Sequence, residues 1–203
     1  MDIVLNTTFS NSILPVAQYA GFTDSFNAAN GVLDYTEDGK AWIKATSTGS
    51  GASVWERVSG AAKLQSPSVS SFAVVDGLAT DGVLTTTIGA VGVRSGAIIL
   101  RYVDRLNYLS LGMNQGGNKY QLRKTVAGTA AFPANSTVIP ASGDVIAITM
   151  AGTVFSVTVN GSAIASLSGI TISEFSTSTK HGFFINAADL TQTYNACTFV
   201  AAT

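Results

Sequence analysis

Charge is what this chain most lacks. Only 11% of its 203 residues are Asp, Glu, Lys or Arg, against roughly a quarter in an ordinary soluble domain. The formal net charge is −1, so there is no basic face to neutralise phosphates, and a nucleic-acid binder is excluded. Cys197 is the single cysteine, which rules out a disulfide within the chain. With one cysteine and one histidine, the usual four-ligand zinc site cannot be built. No run of about 18 apolar residues occurs, so no membrane insertion is expected. The opening "MDIVLNTTFSNS" has neither the basic stretch nor the continuous apolar core of a secretory signal. The expectation is a protein made in a cytoplasm and not exported by the Sec route.

Lys, Glu and Gln are scarce, whereas Gly, Ser, Thr, Ala and Val dominate. Long helices want the opposite mixture. Short alternating runs recur between Gly, Asn, Asp or Ser: "SVSSFAVVDG", "DGVLTTTIG", "GAIILRYVD", "LNYLSLGMN", "NKYQLRK", "DVIAITMAG", "TVFSVTVNGSAIASL" and "HGFFINA". Regular short strands with turn signals between them predict a sandwich or barrel. Asn160-Gly161 tolerates positive φ at both positions and predicts a tight type I′ hairpin. No stretch carries a helical period, and the class is all-β. Residues 1–21 read differently, with a strand-like start, a polar middle and Pro15. They are either an N-terminal arm that docks on another subunit or an edge strand, ahead of a sandwich over 22–203.

The run "AIILRYVDRLNYLSLGM" at 97–113 predicts a hairpin turning at Asp104–Asn107. Pairing 98–103 with 108–113 sets Ile98, Leu100, Tyr102, Leu109, Leu111 and Met113 on one apolar face, which must be core. The opposite face is mixed, with Arg101, Tyr108 and Ser110. In "NKYQLRK" the same parity sends Tyr120 and Leu122 to the core and Gln121 and Arg123 to the mixed face. That face is either the solvated side of an antiparallel sheet or a shallow groove. In a groove, Tyr108 stacks on a sugar while Arg101, Gln121 and Arg123 bond its hydroxyls. Asp104 and Asn107 suit the turn itself.

These residues carry a family resemblance. "DSFNAANGVLDYTEDGKAW" at 24–42, "DGVLTTTI" at 81–88, the 97–113 hairpin, "SGDVIAITMAGTVFSVTVNGSAI" and "KHGFFI" together resemble the concanavalin A-like, or laminin G-like, jelly-roll domains. Such domains occur in bacteriophage virion proteins and in bacterial glycan-binding modules. The resemblance covers about residues 22–202. It implies a two-sheet antiparallel jelly roll, a fold that hosts many functions.

Catalytic chemistry finds little support. Glycosidases of this fold need paired carboxylates, yet the only glutamates are Glu37, Glu56 and Glu174, in no such setting. His181, the sole imidazole, reads as structural, and Cys197 as a buried small hydrophobe. No catalytic residue is assigned, and the chain reads as a non-enzyme with no cofactor. Calcium is a secondary expectation, because Asp34, Glu37 and Asp38 are close in sequence, as are Asp76 and Asp81. A hard-cation site needs six to eight oxygens.

The leading expectation is a bacteriophage virion protein, either a capsid decoration or a minor tail subunit. Its partners would be major capsid or tail proteins and copies of itself, and it would bind host-surface glycans weakly. The alternative is a soluble lectin or carbohydrate-binding module; a polysaccharide hydrolase ranks third.

Overall fold

A computed structural model describes residues 19–49, 54–65, 69–92, 96–114, 119–187, 189 and 191–203. Residues 1–18, and with them nearly all of the expected arm, lie outside the described residues. Five short strands come first: β1 (Phe22–Asp24), β2 (Gly31–Val32), β3 (Ile43–Thr46), β4 (Trp55–Val58) and β5 (Ala61–Leu64). Next are β6 (Ser71–Asp76), β7 (Gly82–Ala90), β8 (Gly96–Asp104), β9 (Asn107–Asn114), β10 (Lys119–Val126) and β11 (Thr129–Asn135). The chain closes with β12 (Val145–Ala151), β13 (Val154–Val159), β14 (Ser162–Ala163), β15 (Ile170–Thr171), β16 (Lys180–Ile185) and β17 (Thr193–Ala201). A 3-10 turn, Ala165–Leu167, lies between β14 and β15. Among the described residues, no helix is long and apolar enough to cross a membrane.

The strands form two antiparallel sheets facing each other, a jelly-roll-like sandwich. One sheet runs β14-β13-β12-β7-β17-β5-β4-β2, with β1 beside β17 and β15 beside β13. The other runs β11-β10-β9-β8-β16-β6-β3. Alternation is clean in β7, β12 and β13, where every second side chain is buried, as expected of a sheet with one wet face. At Asn160-Gly161 φ is 51° and 78°, the hairpin geometry read from the sequence. Between the sheets, aromatic rings stack around Phe183, 3.9 Å from Tyr194 and 5.7 Å from Trp42 between ring centroids. Their polar ends are satisfied: Trp55 Nε1 donates to Ser71 Oγ at 3.1 Å and the Tyr194 hydroxyl to the Ala97 carbonyl at 3.0 Å.

β6 and β8 do not alternate; both faces are buried along most of their length. A second apolar cluster explains this. Phe72, Val74, Ala97, Ile99, Tyr102 and Tyr108 pack on the outer side of the seven-stranded sheet, with Phe72 5.1 Å from both tyrosine rings. The mixed face, expected to be either solvated or a shallow groove, is therefore largely filled.

The 97–113 hairpin departs from its predicted register. Asp104 pairs with Asn107 as expected, and Asp104 Oδ1 accepts the Leu106 N–H. Beyond the turn the partners are Leu100↔Leu109 and Ile98↔Leu111, displaced by two residues across a bulge. Arg101 sits in that bulge with φ of 46°. An even displacement keeps Leu109, Leu111 and Met113 in the core, but the bulge inverts its own residues. Arg101 turns inward between the sheets, and Tyr102 turns out onto Phe72. Both placements reverse the sequence expectation.

Gly182 lies where β16 crosses between β6 and β8. A Cβ there would sit 2.1 Å from the Ala73 carbonyl oxygen, a backbone atom that cannot swing away. Gly182→Ala is expected to lower unfolding stability by about 2 kcal/mol. Denaturant titration checks this, and a change below about 0.5 kcal/mol would show that the strands part freely.

Candidate functional site

The four residues expected to bind glycan do not form one site. Arg101 is fully buried: its guanidinium donates to Asp81 Oδ1 at 2.9 Å and to the Gly152 carbonyl at 2.5 Å, and lies 5.0 Å from the Phe155 ring centroid. Tyr108, Gln121 and Arg123 do share the outer face of the seven-stranded sheet, with Ser110 opposite Arg123 and Gly112 opposite Gln121. Tyr108 is only 7% exposed, its ring committed to Phe72. Gln121 donates to Asn135, and the Arg123 guanidinium lies 6.0 Å over the Phe132 ring.

The other singled-out residues are also accounted for. Glu56 is 3.5 Å from Lys63, and Glu174 pairs with Lys124. Cys197 is buried, and burial pushes its thiol well above the ordinary range. His181 is buried with its Nδ1 facing the Arg101 N–H at 3.3 Å. The expected calcium acids are turned onto separate donors: Asp34 onto Lys44, Glu37 onto Ser25, Asp76 onto Thr179 and Asp81 onto Arg101. Among the described residues, no three acidic, histidine or cysteine side chains gather as a metal set.

Among the described residues, two concavities flank a small hairpin over residues 35–41, at the rim of the sandwich. The sequence builds it simply. Tyr35 bridges Ala41, the Thr36 N–H reaches the Lys40 carbonyl at 2.8 Å, and Gly39 takes φ of 83° to close the turn. Thr36 donates its hydroxyl to Asp38. Beneath the hairpin, buried Asp24 accepts from Trp42 Nε1 at 2.9 Å and lies 3.5 Å from Arg57. Arg57 in turn donates to the Tyr35 carbonyl. The hairpin is thus anchored from below, with Thr36 buried and Tyr35, Glu37 and Ala41 left exposed.

One cleft, of about 330 Å³, is lined by Tyr35, Gly39, Lys40, Ala41, Ile43, Asp76 and Leu78. That volume suits a small ligand. Tyr35 is 60% exposed. Leu78 holds φ of 58° and keeps an exposed aliphatic side chain at the wall. A left-handed leucine costs roughly 1–3 kcal/mol, strain of the sort stored at binding sites. Across the hairpin a second cleft of about 490 Å³ runs along Tyr19, Thr23, Glu37, Asp38, Thr198 and Val200. Lys40 ties the two together, donating to the Tyr19 carbonyl at 2.6 Å with its ammonium 5.2 Å over the Tyr19 ring.

Both clefts hold fixed carboxylates. Partial burial pushes the Asp38 carboxyl up, but hydrogen bonds from Thr36, Tyr19 and the Thr23 N–H outweigh it and leave Asp38 below the usual range. Asp76 behaves alike, with Thr179, the Leu78 N–H, Lys180 and Lys40 overcoming partial burial. Each is an ionised acceptor at neutral pH, pre-oriented beside an exposed tyrosine. Of these residues the sequence points to Glu37, Asp38 and Asp76 as calcium candidates and to Glu37 also as a glutamate with no catalytic partner, and it does not single out Tyr35. A tyrosine one residue before a Thr-x-Asp-Gly turn was the available signal.

No family model matches the chain, and no curated protein matches it. Solved structures do resemble it. The carbohydrate-binding module CBM66 from Bacillus subtilis is 14% identical, with a TM-score of 0.45 over 82% of this chain and 91% of that one. A structure described by the words "Prominent members of the human gut microbiota express endo-acting O-glycanases to initiate mucin breakdown" is 10% identical. It aligns over 90% of this chain and 99% of its own, with a TM-score of 0.54. At such identity the latter likeness is one of fold alone, an antiparallel two-sheet sandwich.

Proposed function

We propose that this protein is a non-catalytic carbohydrate-binding domain, and that the clefts flanking the Tyr35–Ala41 hairpin are its binding site. The observation that carries the reading is the exposed Tyr35 ring beside the fixed acceptor Asp76 and the donor Lys40. A sugar ring has one apolar face and a rim of hydroxyls, so it wants a flat aromatic platform with a few rigid polar groups around it. The glycan-related description of the similar sandwich supports the same reading. The virion reading has less behind it: its docking arm lies in residues outside those described, and neither similar structure is described as a virion protein. Tyr108, Gln121 and Arg123 remain the competing location for a glycan.

Glycan-array screening followed by calorimetry tests the site. Tyr35→Ala is expected to weaken binding of the best array ligand about tenfold without altering the unfolding midpoint, because the ring is exposed. Tyr108→Ala is expected to lower stability and leave affinity alone. Affinity lost with Gln121→Ala or Arg123→Ala but kept in Tyr35→Ala would move the site to the outer sheet face. No binding to any glycan would remove the function.

A further inference from the structure

The two outer faces of the sandwich differ sharply. That of the seven-stranded sheet is covered by its own aromatic cluster. That of the ten-stranded sheet is covered by no other element among the described residues, and β7, β12, β13 and β17 contain no charged residue. Register lines up their outward side chains in rows: Thr158, Ala147, Thr85 and Thr198 in one, Ser156, Thr149, Val83 and Val200 in the next. These side chains are at least partly solvent-exposed, Val200 at 62%. A solvated sheet face ordinarily carries Lys, Glu or Arg, which also guard against association. Four adjacent strands without one are a departure that solubility does not explain.

We propose that this face associates with the same face of a second copy of the chain. Three properties point to a copy and not to another class of partner. Threonine and serine hydroxyls are both donors and acceptors, and methyl groups pack on methyl groups, so the face is complementary to itself. A partner bearing charge would have to bury it with nothing opposite. The chain's net charge of −1 sets almost no repulsion between copies. With β14 and β1 continuing the sheet on either side, six strands about 4.8 Å apart and about 20 Å long present on the order of 600 Å² per copy. A pair then buries about 1,200 Å², the lower end of the range for specific interfaces. The association is therefore weak, and two sheets would pack face to face at about 10 Å. Thr198 and Val200 also line the larger hairpin cleft, so that cleft borders the proposed interface, whereas the Tyr35 cleft shares no residue with these rows and its glycan test reads out separately.

Sedimentation velocity of the full chain between about 1 and 500 µM tests it. The expected result is a monomer–dimer equilibrium with a midpoint of tens of micromolar. The double variant Thr85→Lys, Thr149→Lys should weaken it at least tenfold by setting like charges opposite one another, with the near-UV circular dichroism unchanged. Thr149→Cys is a second probe, since the native Cys197 is buried and leaves one reactive thiol. Its labelling should slow as concentration rises. A chain monomeric throughout overturns the proposal, whether the introduced thiol labels slowly (residues 1–18 then cover the face) or at the rate of a free thiol. A dimer indifferent to the lysines overturns it as well.

Discussion

Asp81→Ala is expected to cost about 3 kcal/mol of folding stability, measured as the shift in urea-unfolding free energy. Its partner Arg101 is wholly buried and has no route to water. Two of its guanidinium nitrogens, Nε and Nη1, already lack a partner, and among the described residues Asp81 is the one carboxylate paired with it. Removing that carboxylate strands a cation between the sheets with two backbone carbonyls and a phenylalanine ring for company. Asp81 also accepts the Gly152 N–H at 2.7 Å, so the variant frees one backbone donor too. Because the Asp81 side chain is 38% exposed, the loss belongs near the lower end of that for breaking a buried pair. Asp81→Asn keeps an acceptor without its charge and should fall between. A loss below about 1 kcal/mol in Asp81→Ala would mean that Arg101 is held by its carbonyls and not by this ion pair.

The same residues carry a consequence for binding. Arg101 reaches the Thr80 carbonyl, and His181 the Ala79 carbonyl, so the 77–81 loop is pinned from inside the sandwich. Leu78 and Asp76, at the start of that loop, form one wall of the Tyr35 cleft. Loosening the pin in Asp81→Ala therefore also blurs the wall against which a sugar would rest.

Arg101 shows how far the sequence could be read. Period-2 alternation correctly assigned Ile98, Leu100, Leu109, Leu111, Met113, Tyr120 and Leu122 to the core, because burial enforces that period directly. What alternation cannot register is an added residue. The bulge at Arg101 depends on a guanidinium finding Asp81, twenty residues earlier, and Gly152, fifty-one residues later. Neither partner leaves a mark on the hairpin's own pattern. The second apolar cluster left a signal that grouping "SVSSFAVVDG" and "GAIILRYVD" with the alternating runs hid: their centres, "FAVV" and "AIIL", are continuous apolar runs, and such a strand is buried on both faces. Tyr108 was thus legible as an outward tyrosine but not as a covered one. Tyr35 escaped notice for the opposite reason. Its strand is a single bridge within a turn-rich segment, so no periodicity singled it out, and only the anchoring of the hairpin by Asp24 and Arg57 gives it a fixed position.

His181 should make the fold sensitive to mild acid. Burial, first of all, pushes its imidazole down to about 4; the nearby Arg101 adds to this, while the Ala79 carbonyl and Asp76 pull the other way. The contacts require the neutral ring: Nδ1 accepts the Arg101 N–H, and Nε2–H donates to the Ala79 carbonyl at 3.4 Å. A proton on Nδ1 would turn one N–H against another beside a buried cation. The unfolded chain binds that proton near pH 6.5 and the folded chain only near pH 4. Between those values the unfolded state holds more protons, so stability is complete above about pH 6.5 and falls as pH is lowered towards 4. The loss across the window is about 3 kcal/mol. His181 is the only histidine in the chain, so no other imidazole titrates there. Asp24, whose carboxyl burial raises, opposes the trend in its lower part, and comparison with a variant removes that contribution. His181→Gln keeps an acceptor and a donor in similar places but cannot be protonated. Urea midpoints measured at half-unit steps of pH should slope downward into acid for the native chain and run flatter for His181→Gln. Parallel profiles for the two proteins would mean that the histidine is not held neutral, and that the pin on the 77–81 loop survives its protonation.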